Sequence, residues 1–224
     1  MIRDHKISVV IPCFNEEHGI RHVLGSLPSV VDEKVVVDNN STDQTGDVAR
    51  SMGALVVFEK RPGYGAAYKA GLPAATGDVI ATLDGDGSYP SERIPVLVEA
   101  LIDENLDFIS ACRFPLANPK AMPFSNQFGN FMLTVATVLL FGKRIRDSQS
   151  GMWIFRKSIL PKIHLTSDGM PLSEEIKIEV LRAGLRFKEI HIPYLERIGD
   201  VKLRKWKDGW ENLCFLARKR FLGG

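Results

Sequence analysis

Residues 79–87 read Val-Ile-Ala-Thr-Leu-Asp-Gly-Asp-Gly, an apolar run that ends in a loop with two carboxylates. Four similar apolar runs occupy the first half of the chain, at residues 7–11, 34–38, 55–58 and 108–111. Helical patterns separate them, at residues 16–27, 45–52, 64–74 and 91–103. Continuously apolar strands that alternate with helices are typical of a parallel sheet covered on both faces. The sequence therefore predicts an α/β fold.

The regular alternation ends near residue 112, and the second half is predicted to be mixed. Its pattern predicts a long apolar helix at residues 124–141, a strand at 152–155, a helix at 173–183 and a strand at 187–192. An amphipathic spacing indicates a last helix, carried by Trp206, Trp210, Leu213, Ala217 and Phe221. Because no linker or repeat interrupts the chain, we expect one domain over residues 1–224.

Composition narrows the function classes. The formal net charge is only +2, which argues against a nucleic-acid-binding protein. Basic residues are concentrated between Arg197 and Arg220, where they could face an anionic surface or substrate, or could form a solvated helix face. The three cysteines, Cys13, Cys112 and Cys214, lack the CxxC spacing of zinc sites and fit a reducing, cytoplasmic compartment.

The apolar segments of the sequence give no sign of a membrane span. The N-terminus has no secretory apolar region before its first strand. The longest apolar stretch, residues 131–141, is shorter than the roughly 20 residues that a helix needs to cross a bilayer. We therefore expect no transmembrane segment.

Polar residues follow three of the predicted strands directly. They occupy residues 12–17, residues 38–43 and residues 84–87. Because ligands of an open parallel sheet bind beyond the carboxyl ends of its strands, we expect these segments to form one site. Asp84 and Asp86 offer hard oxygen ligands to Mg²⁺ or Mn²⁺, although a plain tight turn would have the same pattern. Asn15 with Glu16, and Asn40 with its neighbours, could equally be helix caps.

These segments, taken in order, resemble the family 2 glycosyltransferases of the GT-A fold. The resemblance rests on Pro12, Asn15-Glu16, Asp38, Ser41-Thr42-Asp43, Gly63-Tyr-Gly65, Gly77-Asp78 and Asp84-x-Asp86. Later motifs make the chain similar to the polyprenyl-phosphate (dolichyl-phosphate) glucosyl- and mannosyltransferases, namely Arg113, Asp147-Ser-Gln-Ser-Gly151, Arg197-x-Gly199 and Lys202-Leu203. The resemblance implies a GT-A fold with a mostly parallel central sheet. It also implies a nucleotide-sugar-binding half at residues 1–111 and an acceptor half at residues 112–224.

The resemblance implies a role for each matching residue. It implies a nucleotide-sugar site formed by Pro12, Asn15, Glu16, Asp38, Asn40, Gly65, Asp84 and Gly85. Asp84 and Asp86 would hold the metal and the diphosphate, and the phosphate of the acceptor would be held by Arg113, Arg197 and Lys202. The implied activity is inverting transfer of a hexose from a nucleotide-sugar to a polyprenyl phosphate, with UDP-glucose favoured and GDP-mannose next.

Two departures from the family pattern leave the donor open. Asn39 stands where many relatives have a second Asp. Ser88 stands where mannosyl enzymes of this type often have a Gln near the metal. The sequence alone therefore fixes neither the sugar nor the nucleotide, and it leaves the oligomeric state open.

The acceptor decides whether a catalytic base is needed. A lipid phosphate has a second pKa near roughly 6 and attacks as an anion without a base, provided that cations gather the two anionic substrates. A saccharide hydroxyl would need a carboxylate to take its proton. Asp147 and Glu175 are the candidates for this base. Alternatively, Asp147 could belong to a plain loop or anchor the acceptor loop, and Glu175 could satisfy a helix terminus.

Two further questions stay open at the level of sequence. The helix at residues 124–141 and the helix with Trp206 and Trp210 could be core elements, or could lie on the cytoplasmic face of a membrane that carries a lipid acceptor. A non-catalytic nucleotide-sugar-binding protein is a third functional class, against which the intact Asp84 and Asp86 argue. A nucleotidyltransferase is disfavoured because no glycine- and lysine-rich loop follows the first strand.

Overall fold

A computed structural model describes residues 1–199 and 205–222 of the chain. The strands in this part are β1 (Ile7–Cys13), β2 (Glu33–Asp38), β3 (Leu55–Phe58), β4 (Val79–Thr82), β5 (Phe108–Cys112), β6 (Trp153–Arg156) and β7 (Phe187–His191). The α-helices are α1 (Glu17–Ser26), α2 (Thr45–Ser51), α3 (Tyr64–Ala74), α4 (Ile94–Asp103), α5 (Phe124–Phe141), α6 (Leu172–Arg182) and α7 (Lys205–Phe221). Every helix and strand predicted from the sequence is present in this part of the chain.

The strands form one mixed sheet in the order β3-β2-β1-β4-β6-β5-β7. Neighbours pair in parallel except at β6, which is antiparallel to both β4 and β5. The predicted α/β fold with a mostly parallel sheet and a mixed second half is therefore confirmed. Because β6 comes from the second half and lies between strands of the first, both halves contribute to a single sheet.

The central strands are apolar throughout because helices cover both faces of the sheet. Successive side chains of a strand point to opposite faces. In β1, Ile7, Val9 and Ile11 pack into one hydrophobic layer and Val10 packs into the other, and all four are fully buried. Burying each such side chain stabilises the fold by about 1.5–3 kcal/mol. This two-sided burial explains why β1 does not alternate between apolar and polar residues.

The sheet directs the polar loops to one edge. Because β1, β2, β4 and β5 all run in the same direction, the residues that follow them leave the sheet on the same side. These residues include the segments after β1, β2 and β4 that the sequence singles out, and Arg113 directly after β5. The strand directions thus gather residues that are far apart along the chain.

Helix α5 is unusual because it is mostly outside the core. Its 18 residues contain no charged side chain, and only Leu133, Thr134 and Thr137 are buried. By length and composition alone it is apolar enough to cross a membrane, and only 17% of it is buried. No other helix in the described residues meets this criterion. The apolar stretch judged from sequence was shorter because Asn and Gln residues interrupt the first turns of the helix. Helix α7 packs against α5.

Candidate active site

A cavity of about 470 Å³ lies at the edge of the sheet where β1, β4 and β5 end. Its walls include predicted site residues from four separate segments, namely Pro12, Glu16, Asp84, Gly85, Asp86, Arg113 and Arg197. Residues of α5 and α7, together with Met122 just before α5, form another wall, among them Asn126, Asn130, Leu133, Asp208 and Asn212. The structure therefore brings both carboxylates and two of the predicted cations to one cavity.

Other predicted site residues do not line this cavity. They are Asn15, Asp38, Asn40, Gly65, Asp147 and Glu175. Lys202 lies outside the described residues. For five of the six the structure gives a close contact, and for Asn40 it gives a left-handed backbone conformation.

Three of these residues join the loops that follow β1 and β2. Asn15 and Asn40 adopt left-handed backbone conformations, with φ of 53° and 61°, which Asn tolerates better than most residues. The Asn15 side-chain oxygen accepts a hydrogen bond from the backbone N–H of Thr42 at 2.7 Å. Asp38 accepts one from the backbone N–H of Ser41 at 2.9 Å. These three residues therefore fix the shape of the loops beside Pro12 and Glu16, and they do not line the cavity themselves.

Two glycines at the start of α3 allow a close approach of two loops. A Cβ atom on Gly65 would lie 2.2 Å from the carbonyl oxygen of Ser167, and one on Gly63 would lie 2.2 Å from that of Asp168. Gly63 also has φ of 137°, a conformation that strains any residue with a side chain. The two glycines therefore let the loop at residues 167–168 pack onto the start of α3.

Asp84 and Asp86 form the centre of the cavity. The Tyr64 hydroxyl donates to Asp84 Oδ1 at 3.1 Å. Ser88 donates to Asp86 Oδ1 from its backbone N–H at 2.9 Å and from its hydroxyl at 2.6 Å. Burial and the negative charge of Asp86 raise the pKa of Asp84 to about 7, against the opposing hydrogen bond from Tyr64. The negative charges of Asp84 and Asp86 therefore repel each other in this buried place, and a bound cation would reduce the repulsion.

Small residues allow the carboxylate loop to sit against α1. A Cβ atom on Gly19 would lie 2.3 Å from the carbonyl oxygen of Gly85. One on Gly85 would lie 2.6 Å from Cys13 Sγ. Since both positions lack a side chain, the loop between the two aspartates approaches the backbone of α1 and the end of β1.

Arg113 and Asp147 form a buried ion pair. Asp147 is fully buried, and its two oxygens accept from Arg113 Nε and Nη2 at 2.8 Å each, with a third bond from the Arg113 backbone N–H at 3.0 Å. Burial alone would raise the pKa of Asp147, but the charge and hydrogen bonds of Arg113 hold it below its usual value. This carboxylate orients Arg113 toward the cavity, so its geometry favours the anchoring role over that of a base.

Glu175 is likewise engaged away from the cavity. It is fully buried and accepts hydrogen bonds from the Thr166 hydroxyl at 2.7 Å and the Ser167 backbone N–H at 2.9 Å. Its Oε1 also accepts from the buried ammonium of Lys219 on α7 at 2.9 Å. Glu175 therefore fastens α7 and the loop at residues 166–167 to α6.

Arg197 lies beside the carboxylates of Asp86 and Glu16. Its Nη2 atom is 3.2 Å from Asp86 Oδ2 and 3.6 Å from Glu16 Oε1. The backbone of the same segment is tied to the carboxylate loop, because Ile198 N–H donates to the Asp86 carbonyl at 2.7 Å. Arg197 thus contributes positive charge at the place where a cation would be held.

The structure adds residues to which the sequence gave no role. Asn39 donates to the carbonyls of Glu59 and Arg61, at 3.0 and 2.6 Å, and accepts from the Gly63 N–H at 2.8 Å. An Asp at this position could not donate those two bonds, which explains the departure from the family pattern. Further cavity residues without an assigned role are Tyr64, Tyr89, Gln149 and Tyr194. Tyr64 and Gln149 stand inside motifs quoted from the sequence, whereas Tyr89 and Tyr194 stand outside them.

The carboxylate pair is suited to a cation that is shared with an anionic substrate. No group of three or more His, Cys, Asp or Glu side chains in the described residues could hold a metal by itself. Two carboxylates supply hard oxygen ligands and leave coordination positions for phosphate oxygens, as is typical of Mg²⁺ and Mn²⁺ sites. The raised pKa of Asp84 fits such a site, because added positive charge would relieve the repulsion by Asp86.

Comparison with known proteins agrees with this geometry. Residues 8–163 match the family model of glycosyl transferase family 2. The chain is 33% identical over 205 residues to the dolichyl-phosphate hexose transferase of Haloferax volcanii, covering 91% of this chain and 89% of that protein. It is 29% identical over 182 residues to the UDP-N-acetylglucosamine–dolichyl-phosphate N-acetylglucosaminyltransferase of Methanococcus voltae, covering 70% of this chain and 72% of that protein.

A solved structure shares the fold. Glucosyl-3-phosphoglycerate synthase from Mycobacterium tuberculosis, in complex with Mg²⁺ and UDP, superposes with a TM-score of 0.76. Sequence identity is 22%, and the match covers 97% of this chain and 79% of that one. The GT-A fold expected from the sequence is thereby confirmed. The chain is a glycosyltransferase and belongs to family 2.

Proposed function

We propose that the protein transfers a hexose, with inversion, from a nucleotide-sugar to a polyprenyl or dolichyl phosphate. One observation carries the proposal: Arg113 and Arg197 line the same cavity as Asp84 and Asp86, whereas both predicted bases lie outside it. A phosphate acceptor requires cations to hold it and brings its own negative charge, so it needs no base. The names of the two relatives, both of which act on dolichyl phosphate, support the same acceptor.

The residues of the cavity divide the chemistry between donor and acceptor. Asp84 and Asp86 would hold Mg²⁺ or Mn²⁺, which supplies positive charge to the departing nucleoside diphosphate. Pro12, Glu16 and Gly85 would line the nucleotide-sugar part of the site, in the half at residues 1–111. The phosphate oxygen of the acceptor forms a bond to the anomeric carbon from the opposite side as the bond to the diphosphate breaks. Among residues 1–199 and 205–222, the bonds of Arg113 to Asp147 use Nε and Nη2, which would leave Nη1 for that phosphate.

UDP-glucose is the favoured donor and GDP-mannose the next. A uridine nucleotide is supported by the name of the Methanococcus voltae relative. The experiment is a panel of UDP-glucose, UDP-N-acetylglucosamine and GDP-mannose, each incubated with Mn²⁺ and a short-chain polyprenyl phosphate, with products identified by mass. We expect one glycosyl phosphate lipid. Transfer only to saccharide hydroxyls would overturn the proposal, and Asp208, which also lines the cavity, would become the candidate base.

Metal binding is expected to depend on pH through Asp84. A carboxylate must be deprotonated to bind a metal, and Asp84 has a pKa of about 7. The apparent affinity for Mn²⁺ should therefore be almost constant above pH 8 and fall by about tenfold between pH 8 and pH 6. Calorimetric titration with Mn²⁺ at these pH values would measure it.

A variant of Tyr64 provides the control for this pH dependence. Because the Tyr64 hydroxyl lowers the pKa of Asp84, Tyr64→Phe should move the loss of affinity to higher pH. A pH-independent affinity in the wild-type protein would contradict the assignment of Asp84 as a metal ligand with a raised pKa.

A lipid acceptor requires the protein to work at a membrane surface, and α5 supplies a suitable face. Exposed apolar side chains recur along one side of this helix at Phe124, Phe128, Phe131, Met132 and Leu139. The opposite side of the helix lines the cavity through residues 126, 129, 130 and 133. Since α5 borders the cavity and packs on α7, it would lie on the bilayer rather than cross it.

Charge and exposed aromatics support the same placement. Trp210 and Phe221 of α7 are 70% and 74% exposed, and the last turn of α7 exposes Arg218 and Arg220. Basic residues beside an apolar face favour the anionic surface of a cytoplasmic leaflet. The free thiols of Cys13, Cys112 and Cys214 are compatible with that compartment.

Phe131→Ser should weaken binding to the membrane. Phe131 is 62% exposed, and losing its insertion should cost about 1–2 kcal/mol, or about 5- to 30-fold in partitioning. The measurement is co-sedimentation with vesicles that contain phosphatidylglycerol. Phe58→Ser is the matched control, because Phe58 is 58% exposed on the edge strand β3. A change in sedimentation coefficient without a change in vesicle binding would instead assign the face to a second copy of the chain.

A further inference from the structure

The loop at residues 147–151 is held rigidly by one buried lysine. Lys177 on α6 is fully buried, and its ammonium donates to the carbonyl oxygens of Asp147, Ser148 and Ser150 at 2.8, 2.8 and 2.9 Å. Three fixed carbonyls leave this segment little freedom. Of its side chains, only that of Gln149 lines the cavity. The position of Gln149 is therefore set by the protein before any ligand binds.

The amide of Gln149 is also fixed in orientation. Its Nε2 donates to Glu174 Oε2 at 2.8 Å and to the Ser148 hydroxyl at 3.1 Å. A side-chain amide nitrogen has two hydrogens, so both are used by the protein. Within residues 1–199 and 205–222 the carbonyl oxygen of Gln149 receives no hydrogen bond. That oxygen is left as an acceptor for a ligand in the cavity.

Burial of the Glu174 carboxyl group is expected to reduce the stability of the fold. It is fully buried, and its Oε1 atom has no hydrogen-bond partner among the described residues. Burial raises the pKa of Glu174 well above its usual value, against the opposing hydrogen bond from Gln149. A buried polar atom without a partner typically costs about 1–3 kcal/mol. Its one hydrogen bond within the described part of the chain is accepted from Gln149. This contact indicates that the role of Glu174 is to orient Gln149.

The rigid loop adjoins the end of the cavity where the carboxylates lie. A Cβ atom on Gly151 would lie 2.2 Å from the Tyr64 hydroxyl oxygen and 3.2 Å from Asp84 Oδ1. Gln149, two residues before Gly151, lines the same cavity as Asp84 and Asp86, so we infer that it lies near the sugar of a nucleotide-hexose whose diphosphate is held there. A neutral acceptor at this place suits a sugar hydroxyl, which can donate, and does not suit a phosphate, which cannot.

We propose that Gln149, oriented by Glu174, selects the donor sugar by accepting a hydrogen bond from one hydroxyl of the hexose. The inference rests on the proposed function, because it assumes a nucleotide-hexose in the cavity. Gln149 would be the contact that determines specificity, and Glu174 would act through it as a positioning residue. Sugars that lack the contacted hydroxyl, or carry it on the other face, would then bind less well.

The test uses calorimetric binding to the full-length protein in the presence of Mn²⁺. The ligands are UDP-glucose or GDP-mannose, whichever the wild type binds, its deoxy analogues that each lack one sugar hydroxyl, and the free nucleoside diphosphate. Gln149→Ala should weaken binding of the parent nucleotide-hexose by about tenfold, the loss of one hydrogen bond. It should leave unchanged the affinity for the nucleoside diphosphate. It should also leave unchanged the affinity for the deoxy analogue that lacks the hydroxyl contacted by Gln149.

Variants of Glu174 separate positioning from stability. Glu174→Gln keeps an oxygen that can accept from Gln149, so it should retain the wild-type preference among the analogues. Glu174→Ala should lose that preference as Gln149→Ala does, and if it does not fold, Gln149→Ala still decides the question. Gln127→Ala is the matched control, because Gln127 donates to the Met122 carbonyl and does not line the cavity.

Several results would overturn the inference. Equal weakening of nucleotide-hexose and nucleoside diphosphate would mean that Gln149 supports the diphosphate region. Weakening that persists with every deoxy analogue would mean that no hydroxyl is selected. Absence of transfer to polyprenyl phosphate, with this binding pattern intact, would instead refute the proposed acceptor and leave the sugar contact standing. Failure of the wild type to bind any nucleotide-hexose would refute both.

Discussion

Replacing Asp86 with Asn is expected to reduce transfer by about 100- to 1000-fold at saturating donor, the usual effect of removing one strong electrostatic contact to a developing charge. Asp84→Asn should have a similar effect. Each substitution removes a negative charge that would hold the metal beside the leaving diphosphate. The measurement is the initial rate of lipid product formation over a range of Mn²⁺ concentrations.

Asparagine is a better replacement than alanine because the carboxylate loop is packed. Asp86 is only 7% exposed and its Oδ1 takes two hydrogen bonds from Ser88. An amide oxygen can still accept from Ser88, so the variant should keep its fold. A melting temperature near that of the wild type, together with the loss of rate, would assign the effect to the missing charge.

Asp78→Asn is the matched control for both variants. Asp78 is an exposed aspartate at the opposite end of the same strand, where it accepts a hydrogen bond from the Lys6 N–H at 2.9 Å. The Asp78→Asn variant should transfer the hexose at nearly the wild-type rate. Near-normal turnover by Asp84→Asn or Asp86→Asn with saturating donor would refute the metal role of the pair.

The strands and the edge of the sheet could be predicted because they depend on local patterns. The run from Ile7 to Ile11 is buried on both faces, and such runs remain recognisable without knowledge of the partner strands. Once the strands are parallel, the residues after β1, β4 and β5 must lie on the same edge. The strand pattern therefore predicts that Glu16 and Asp84 share a site, as the structure has them, and the family resemblance adds Arg113 to it.

The roles of individual polar residues depend on contacts that no local pattern encodes. Asp147 accepts from Arg113, which is 34 positions away, and Glu175 accepts from Lys219, which is 44 positions away. Buried charges occur almost only where a partner meets them, and the sequence does not state which partner that is. The sequence shows Gln149 only as part of a small polar loop. Its orientation cannot be predicted locally, because it depends on Glu174 and on the loop fixed by Lys177.

Arg197→Ala should slow transfer by roughly 10- to 150-fold, the effect of losing a charge-assisted contact to phosphate of about 1.5–3 kcal/mol. The same substitution should not weaken Mn²⁺ binding and should strengthen it. In the structure Arg197 Nη2 lies 3.2 Å from Asp86 Oδ2, so its guanidinium competes with a metal for that carboxylate. When a metal and two anionic substrates are present, the arginine would leave Asp86 and pair with phosphate.

Opposite changes in rate and in metal affinity distinguish this exchange from simpler roles of Arg197. The measurements are the transfer rate, the slow hydrolysis of the donor without acceptor, and the Mn²⁺ affinity, for Arg197→Ala and Lys202→Ala. Arg186→Ala is the control, since Arg186 also pairs with an aspartate, Asp107, but outside the cavity. Equal loss of transfer and hydrolysis would assign Arg197 to the donor diphosphate. A parallel fall in Mn²⁺ affinity would mean that Arg197 only maintains the shape of the carboxylate loop, because a competing cation, once removed, can only free Asp86 for the metal.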